Sequence, residues 1–554
     1  MSAGALRSED ADLAIVGSGA AGLLAACVAA EAGLDVLVLE KASRLGGTSA
    51  MGGGVIWAPG HHLGLADADK DAEAAAHYLA ALTRSTVSAE RIDWFLDTIR
   101  AAVDYLVSRT AVRLTPLARP DYHLEVDGAA DGGRSLDNEP FALPEGTGLG
   151  DSLRPSSYLP QLTMAERDAL AGSAPPPDLL VKRTAAGIRT MGGALVGALA
   201  TTALANGARL VADAPVEEIV ASGGGWRLRI PESQVRARFV LLASGGYERS
   251  ALLQSAFLPG PVAAIGAPSN SGDGLRLGLG LGAAVEGMTG LWGVPVIVDQ
   301  EVEYDGASIG RMANVELTLP GSILVDATGR RFANEAQEYA ALNTALLHRA
   351  AHPISAASPA WLIYDERYRA SYPIAGRPAG VGPAWAHTAS TLDELAALCE
   401  IDAAGLAATA ATFNRDARTG VDTEFGRGAS AQDRFLGDPR VTPNPTMAPI
   451  SAAPFHAIPV LPGALGTSGG LATSLKGEVL DFAERPIPGL FAAGNVAASV
   501  FGSSYPGGGA TLASAVARAY AAAKEIVHRA SGPDGAATHH VIPVPRRSKG
   551  QEQR

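Results

Sequence analysis

Asp12-Leu-Ala-Ile-Val16-Gly17-Ser18-Gly19-Ala20-Ala21-Gly22 is the stretch that decides the fold. A short apolar run breaks at Gly17, and an Ala/Leu-rich run then continues to Ala32, which is the pattern of a strand turning directly into a helix. Gly33 stops the helix, and Asp35-Val-Leu-Val-Leu39 makes a second strand that ends at Glu40 and Lys41. The unit is βαβ. Its glycines have separate tasks: Gly17 turns the chain, Gly19 lets a pyrophosphate approach the backbone, and Gly22 lets helix and strand pack closely. Glu40 falls where a carboxylate can hold a ribose hydroxyl, so the unit predicts a dinucleotide site.

Working outward, Arg44 to Gly54 is too rich in glycine for an ordinary surface loop, and Gly46, Gly47, Thr48, Ser49, Gly53 and Gly54 suit contacts to phosphate and to a polar ring. Phe239 to Ala243 reads as a buried strand ending in Ser244 and Gly245, and it and Val211 to Val216 could each be a plain strand end or turn. Asp273 stands in the turn Ser271-Gly-Asp-Gly274. Near the other end, Leu490-Phe-Ala-Ala-Gly494-Asn495 and Ser504-Tyr-Pro-Gly-Gly-Gly509-Ala510-Thr511-Leu512 supply a second glycine-rich set and the start of a helix. One site is therefore expected to draw on both ends of the chain.

The expected fold is α/β: a Rossmann-like domain over 1–287 and 460–530, an inserted α+β capping domain over 288–459, and an unfolded tail over 531–554. Within the cap, Ser322 to Asp326 and Trp361 to Asp365 read as strands, and Thr391 to Arg418 as a helix. A net charge of -13 without a basic cluster argues against nucleic acid. Cys27 and Cys399 lie in apolar runs without a neighbouring ligand, so buried thiols and no metal are expected. No apolar run is long enough to cross a membrane and no signal-peptide pattern precedes the first strand, so a cytoplasmic protein is expected.

Together these residues resemble the flavoprotein family of fumarate reductases and 3-ketosteroid dehydrogenases across nearly the whole chain. The resemblance rests on Gly17 to Gly22, Gly46 to Ser49, Ser271 to Gly274, Gly329-Arg-Arg-Phe-Ala-Asn-Glu335 and Ala492-Ala-Gly-Asn495. It implies FAD, held without a covalent bond because no His lies between Ser43 and Met51. Ala464-Leu-Gly-Thr-Ser-Gly-Gly470 and Ala336-Gln-Glu-Tyr339 lack the His and Arg with which carboxylate reducers in the family grip a dianion, and Arg369 does not decide between the subgroups. The steroid-dehydrogenase pattern is nearer at Tyr505 to Gly509, Asn334-Glu335 with Tyr339, Pro120-Asp-Tyr122, Gly132 to Leu136, and Phe413 to Gly428, where the last stretch reads as structural.

The resemblance implies desaturation of C1–C2 beside the ketone of a 3-ketosteroid. Tyr505 and the Gly509 N–H would polarise the ketone, with no room at residue 509 for a Cβ against the approaching ring. Tyr339 would act as base, helped by Tyr122 or by His123, and the helix starting near Thr511 would favour negative charge on the reduced flavin. The expected partners are a hydrophobic small molecule and an unknown electron acceptor. Alternatives are C4–C5 desaturation, enone reduction, reduction of an unsaturated carboxylate, and a flavoprotein that binds without catalysis. His61, His62 and Arg311 are expected to carry little weight, with the two histidines exposed and Arg311 on the surface, while Met288 and Trp292 could wall an apolar pocket or belong to a packed core.

Overall fold

The computed structural model describes residues 9–170, 173–351 and 359–532. The part of the expected tail from 533 to 554 lies outside the described residues.

The strand Glu9–Val16 pairs in parallel with Val36–Leu39 on one side and with Ser233–Leu242 on the other. Arg209–Val211 and Pro486–Ala492 extend this sheet outward, also in parallel, and Glu478–Leu480 closes one edge. All four residues of Val36–Leu39 are buried, as a strand covered on both faces requires. The helix Ala20–Glu31 is buried from Ala20 to Ala30, because it lies against both Met191–Ala205 and Ala510–Ser531. That explains a run with no polar face. A Cβ on Gly22 would stand 2.1 Å from the Gly17 carbonyl oxygen, so only glycine lets this helix meet its strand.

A second sheet is built around the strand Phe455–Thr467. Its first half pairs with Ala360–Asp365 and its second with Leu291–Tyr304, while Ala307–Met312 and Ser322–Val325 form the flanks. Because this ladder continues unbroken through Pro459 and Val460, the chain leaves the second sheet after Thr467. Ala263 and Ala264, from the first segment of the chain, join the same strand.

At Val211 to Val216 the strand-end reading holds: Val211 ends its strand, since Asp213 takes the left-handed backbone (φ +56°) and the chain then crosses as a loop. One local reading is corrected. Thr391 to Arg418 is two helices, Leu392–Leu398 and Ala403–Thr419, parted where Glu400 turns left-handed (φ +56°) and Asp402 caps the second helix.

Candidate active site

The carboxyl ends of the central parallel strands open into one cavity of about 790 Å³, the place where open α/β sheets bind ligands. Gly17, Ser18, Gly19, Ala20, Ala21, Glu40, Lys41, Gly47, Thr48, Ser49, Gly53, Gly54, Val216, Ala243, Ser244, Gly245, Asp273, Gly494, Asn495, Gly509, Thr511 and Leu512 all line it. Gly22, Gly46 and Ala510 do not. Gly22 serves helix packing. Gly46 donates its N–H to Ser18 Oγ at 2.9 Å, and Ala510 donates to the Gly507 carbonyl at 3.2 Å.

The polar groups at one end are already arranged around one another. Glu40 accepts from Ser18 N at 3.1 Å, from Ser18 Oγ at 2.7 Å and from Ala42 N at 3.0 Å. Lys41 reaches Ser271 Oγ at 2.6 Å and pairs with Asp273, which ties the second strand to the Ser271 turn. Ser49 Oγ accepts from the N–H of Ala20, the first residue of its helix, at 3.1 Å. Thr48 Oγ1 accepts from Ala267 N and Asn270 Nδ2 at 2.8 and 2.9 Å.

FAD fits this end of the cavity. Two helices start at its wall, after Gly19 and Gly509, and helix N-termini favour anionic groups. Gly19 would hold the pyrophosphate, Glu40 a ribose, and Thr511 with Leu512 the flavin. Gly19→Ala should fold, because φ -67° suits any residue and the new Cβ meets only Ser49 Oγ at 3.4 Å. Flavin affinity should still fall by about tenfold or more, about 1.4 kcal/mol, which a flavin titration at an unchanged melting temperature would show.

At the other end of the cavity three phenols meet. Tyr122 Oη donates to Tyr339 Oη at 2.7 Å, and Tyr339 Oη to Tyr505 Oη at 2.9 Å, with Thr511 Oγ1 3.4 Å beyond. Their rings stand 5.1 to 5.5 Å apart. Burial raises all three phenols above their usual pKa, and for Tyr339 the neighbouring Tyr122 and Tyr505 add to the effect. His123 points elsewhere, 3.4 Å from Glu125, so of the two expected relay partners Tyr122 is the one in contact.

The loop that carries Tyr505 is tied down at each step. The Pro506 carbonyl accepts from Tyr122 N at 3.1 Å and from Tyr78 Oη at 2.7 Å, Gly508 O accepts from Ser135 Oγ at 2.7 Å, and Gly509 O from Trp57 N at 3.3 Å. Asp121, buried beside Tyr122, accepts from Trp57 Nε1 at 2.7 Å and pairs with Arg134 at 2.6 Å. Gly509 has a left-handed backbone (φ +102°), and its N–H makes no hydrogen bond within the described chain. A Cβ there would lie 2.7 Å from Val55 O and 2.8 Å from Trp57 N. The glycine is therefore required by the backbone it crosses, not by an incoming ring.

Several bystanders are placed differently from expectation. His61 is buried, with Nε2 2.8 Å from the Gly133 carbonyl and Nδ1 accepting from Leu63 N, so it props the loop; His62 alone is exposed. Arg311 is half-buried over the Tyr158 ring at 5.0 Å, not a surface charge. Trp292, by contrast, follows one of its two expected readings: it is buried in the core outside the cavity lining, packs edge-on to Tyr505 and donates to Asn495 Oδ1 at 3.2 Å. The sequence reading missed Arg119, Tyr158, Leu159, Met164, Arg167 and Met312, which line the tyrosine end. Arg119 stands three residues before Tyr122 and could have been noticed. Arg167 sits in the short helix Met164–Ala169, where nothing in the pattern distinguishes it from a surface charge.

Sequence and structure comparisons agree with this site. The FAD binding domain family matches residues 12–512. The chain is 36% identical to 4-oxocyclohexanecarboxylate 2-dehydrogenase of Sinomonas cyclohexanicum, over 95% of this chain and 94% of that one. It is 32% identical to 3-oxosteroid 1-dehydrogenase of Mycolicibacterium smegmatis, over 95% and 99%. The crystal structure of 3-ketosteroid Δ1-dehydrogenase from Sterolibacterium denitrificans, in complex with 1,4-androstadiene-3,17-dione, superposes with a TM-score of 0.87 at 32% identity, covering 94% of this chain and 100% of that one. The chain belongs to the FAD binding domain family, and its cofactor is FAD. Within that family it is an oxidoreductase similar to dehydrogenases named for ring ketones. Among the described residues no helix is long and apolar enough to cross a membrane.

Proposed function

We propose that the protein desaturates a cyclic ketone at the carbon–carbon bond next to the carbonyl. The observation that carries this reading is the hydrogen-bonded row Tyr122–Tyr339–Tyr505 beside the unpaired N–H of Gly509, all on one cavity. Tyr505 Oη and Gly509 N–H donate to the ketone oxygen, so negative charge developing on it is stabilised as the α-proton leaves. Tyr339 Oη receives that proton. Bound FAD, held non-covalently, supplies the acceptor for the hydride that leaves the β-carbon. Tyr122, hydrogen-bonded to Tyr339 at 2.7 Å, holds the Tyr339 hydroxyl in place, and the Arg119 cation, which interacts with both phenols, favours the deprotonated form of Tyr339.

Two substrates have specific support. C1–C2 of a 3-ketosteroid is favoured by the similarity to 3-oxosteroid 1-dehydrogenases and by the fit to the Sterolibacterium enzyme. A monocyclic ketone bearing a carboxylate is favoured by the similarity to the Sinomonas enzyme and by the arginines at the tyrosine end. Anaerobic mixing of the flavin-loaded protein with androst-4-ene-3,17-dione and with 4-oxocyclohexanecarboxylate tests the shared reaction: one of them should bleach the flavin, and no bleaching by either would refute it. Acid precipitation should release the flavin into solution.

The pH dependence has a defined sign. Tyr339 works deprotonated, and its pKa lies above the ordinary phenol value. The rate of flavin reduction should therefore keep rising with pH through 7 to 9 without reaching a plateau. Tyr122→Phe should lower the rate at every pH in that range, because the Tyr339 hydroxyl loses a hydrogen bond that orients it, while the rise with pH stays in place. A flat profile in both proteins would remove Tyr339 as the base.

A further inference from the structure

We infer that Arg167 is a specificity residue that binds a carboxylate on the ketone substrate, so that the substrate class is a ring ketone with an acidic group away from its carbonyl. The inference rests on the cyclic-ketone reading above. It begins from an imbalance of charge in the cavity wall. Arg119 and Arg167 both line the tyrosine end, but only Arg119 has an acid of its own: its Nε and Nη2 meet the two Asp168 oxygens at 2.7 and 2.5 Å. The Arg167 guanidinium makes no hydrogen bond or ion pair with any described residue.

The nearby charges do not resolve this. Glu316 influences Arg167 but makes no ion pair with it, and burial pushes the Glu316 carboxyl above the usual carboxylate range. Glu316 is also shared with Arg311, whose guanidinium lies over the Tyr158 ring and whose Nε is buried without a partner. Asp137, on the far side of Arg119, spends its oxygens on the backbone N–H groups of Asn138 and Ala165.

A half-buried guanidinium facing a steroid skeleton would lose water and gain nothing, a costly arrangement for a charge. A carboxylate offers the planar, bidentate partner that arginine is shaped to accept. The helix that carries Arg167 is held without it. Thr163 and Glu166 form a capping box, and Arg183 pairs with Glu166 at 2.6 Å. The guanidinium is thus fixed at its base and free at its tip, which is the state of a binding group awaiting its ligand. With Tyr505 and Gly509 gripping the ketone oxygen, an anchored carboxylate would set which α-carbon faces Tyr339.

The test compares 4-oxocyclohexanecarboxylate with its methyl ester on flavin-loaded wild type and Arg167→Met, measuring binding by calorimetry and turnover by flavin bleaching. Wild type should bind the acid at least tenfold more tightly than the ester. Arg167→Met should abolish that preference by weakening the acid alone, raising KM for the acid while kcat changes little. Arg167→Lys should restore part of it. Equal binding of acid and ester by wild type, or a preference that survives in Arg167→Met, would overturn the inference. Preferential binding of the acid without flavin bleaching by any ketone would uphold the carboxylate site and sink the dehydrogenation reading instead, so the two failures are separable. Because the guanidinium tip has no hydrogen-bond or ion-pair partner among the described residues, an unchanged melting temperature is expected for both variants.

Discussion

Tyr339→Phe should lower kcat for ketone oxidation by about 10²–10⁴, the range expected when a positioned general base is lost. The fold should not suffer. Phenylalanine keeps the ring contacts to Tyr122 and Tyr505, and the two hydroxyls that lose a partner belong to residues lining the cavity. Flavin content and KM should therefore stay close to wild type while bleaching by the ketone slows. Tyr505→Phe offers a comparison of a different kind. It removes one of two donors to the ketone oxygen, which elsewhere costs about 10²–10³ in kcat, and Gly509 N–H remains as the other. The two variants should also differ in pH behaviour: Tyr505→Phe keeps the alkaline rise, whereas Tyr339→Phe loses it. Turnover unchanged in both would remove the tyrosine mechanism, whatever the substrate.

The cofactor end of the cavity was legible in the sequence because its constraints are local. Gly22 does its work within one strand–turn–helix, Gly17 turns the chain there with φ +108°, and Glu40 reaches Ser18 inside the same βαβ unit; only the further close approach of Gly17 to Ala243 lies outside that unit. Tyr122, Tyr339 and Tyr505 come from segments far apart in sequence, and nothing in periodicity could have joined them; only the family resemblance did. The resemblance could not carry Gly509's reason, since the clash with Val55 and Trp57 depends on a crossing of two loops. Arg167 lay further still from view. A charged residue in an unremarkable short helix reads as solvated, and whether it has an acid partner is a property of the packed molecule alone. The helical break at Glu400 was missed for a related reason: the apolar spacing runs on across it, and the left-handed turn is set by the Asp402 cap that follows.

The stretch from Phe413 to Gly428 had length but no chemistry, and the structure gives it a structural role large enough to measure. Arg427, fully buried, donates to the carbonyls of Leu317, Thr318 and Leu319 at 2.9 to 3.2 Å and lies 3.3 Å from Glu335. Arg331 binds Glu335 through Nε and Nη2 at 2.8 and 2.7 Å and grips both Asp422 oxygens at 2.9 Å, with the Phe413 ring beneath both guanidiniums. Burial pushes the Glu335 carboxyl up, yet Arg331 and Arg427 outweigh it and hold the group below its usual range. The stability it contributes is thus present at neutral pH and is lost only as the pH falls through that lowered value. Glu335→Gln removes one of two acids facing two buried guanidiniums, and breaking such an arrangement costs about 3–5 kcal/mol. A clear fall in the melting temperature of the flavin-loaded protein is expected at pH 7, shrinking on acidification as the wild-type carboxylate itself becomes protonated. Glu335 is four residues before Tyr339 in sequence, and the helix that begins at Tyr339 is capped by Glu338 at the N–H groups of Ala340 and Ala341. Loosening the network should therefore also widen the freedom of the Tyr339 ring, lowering kcat below the melting temperature. A variant as heat-stable as wild type would show that the carbonyls around Arg427, rather than Glu335, balance its charge.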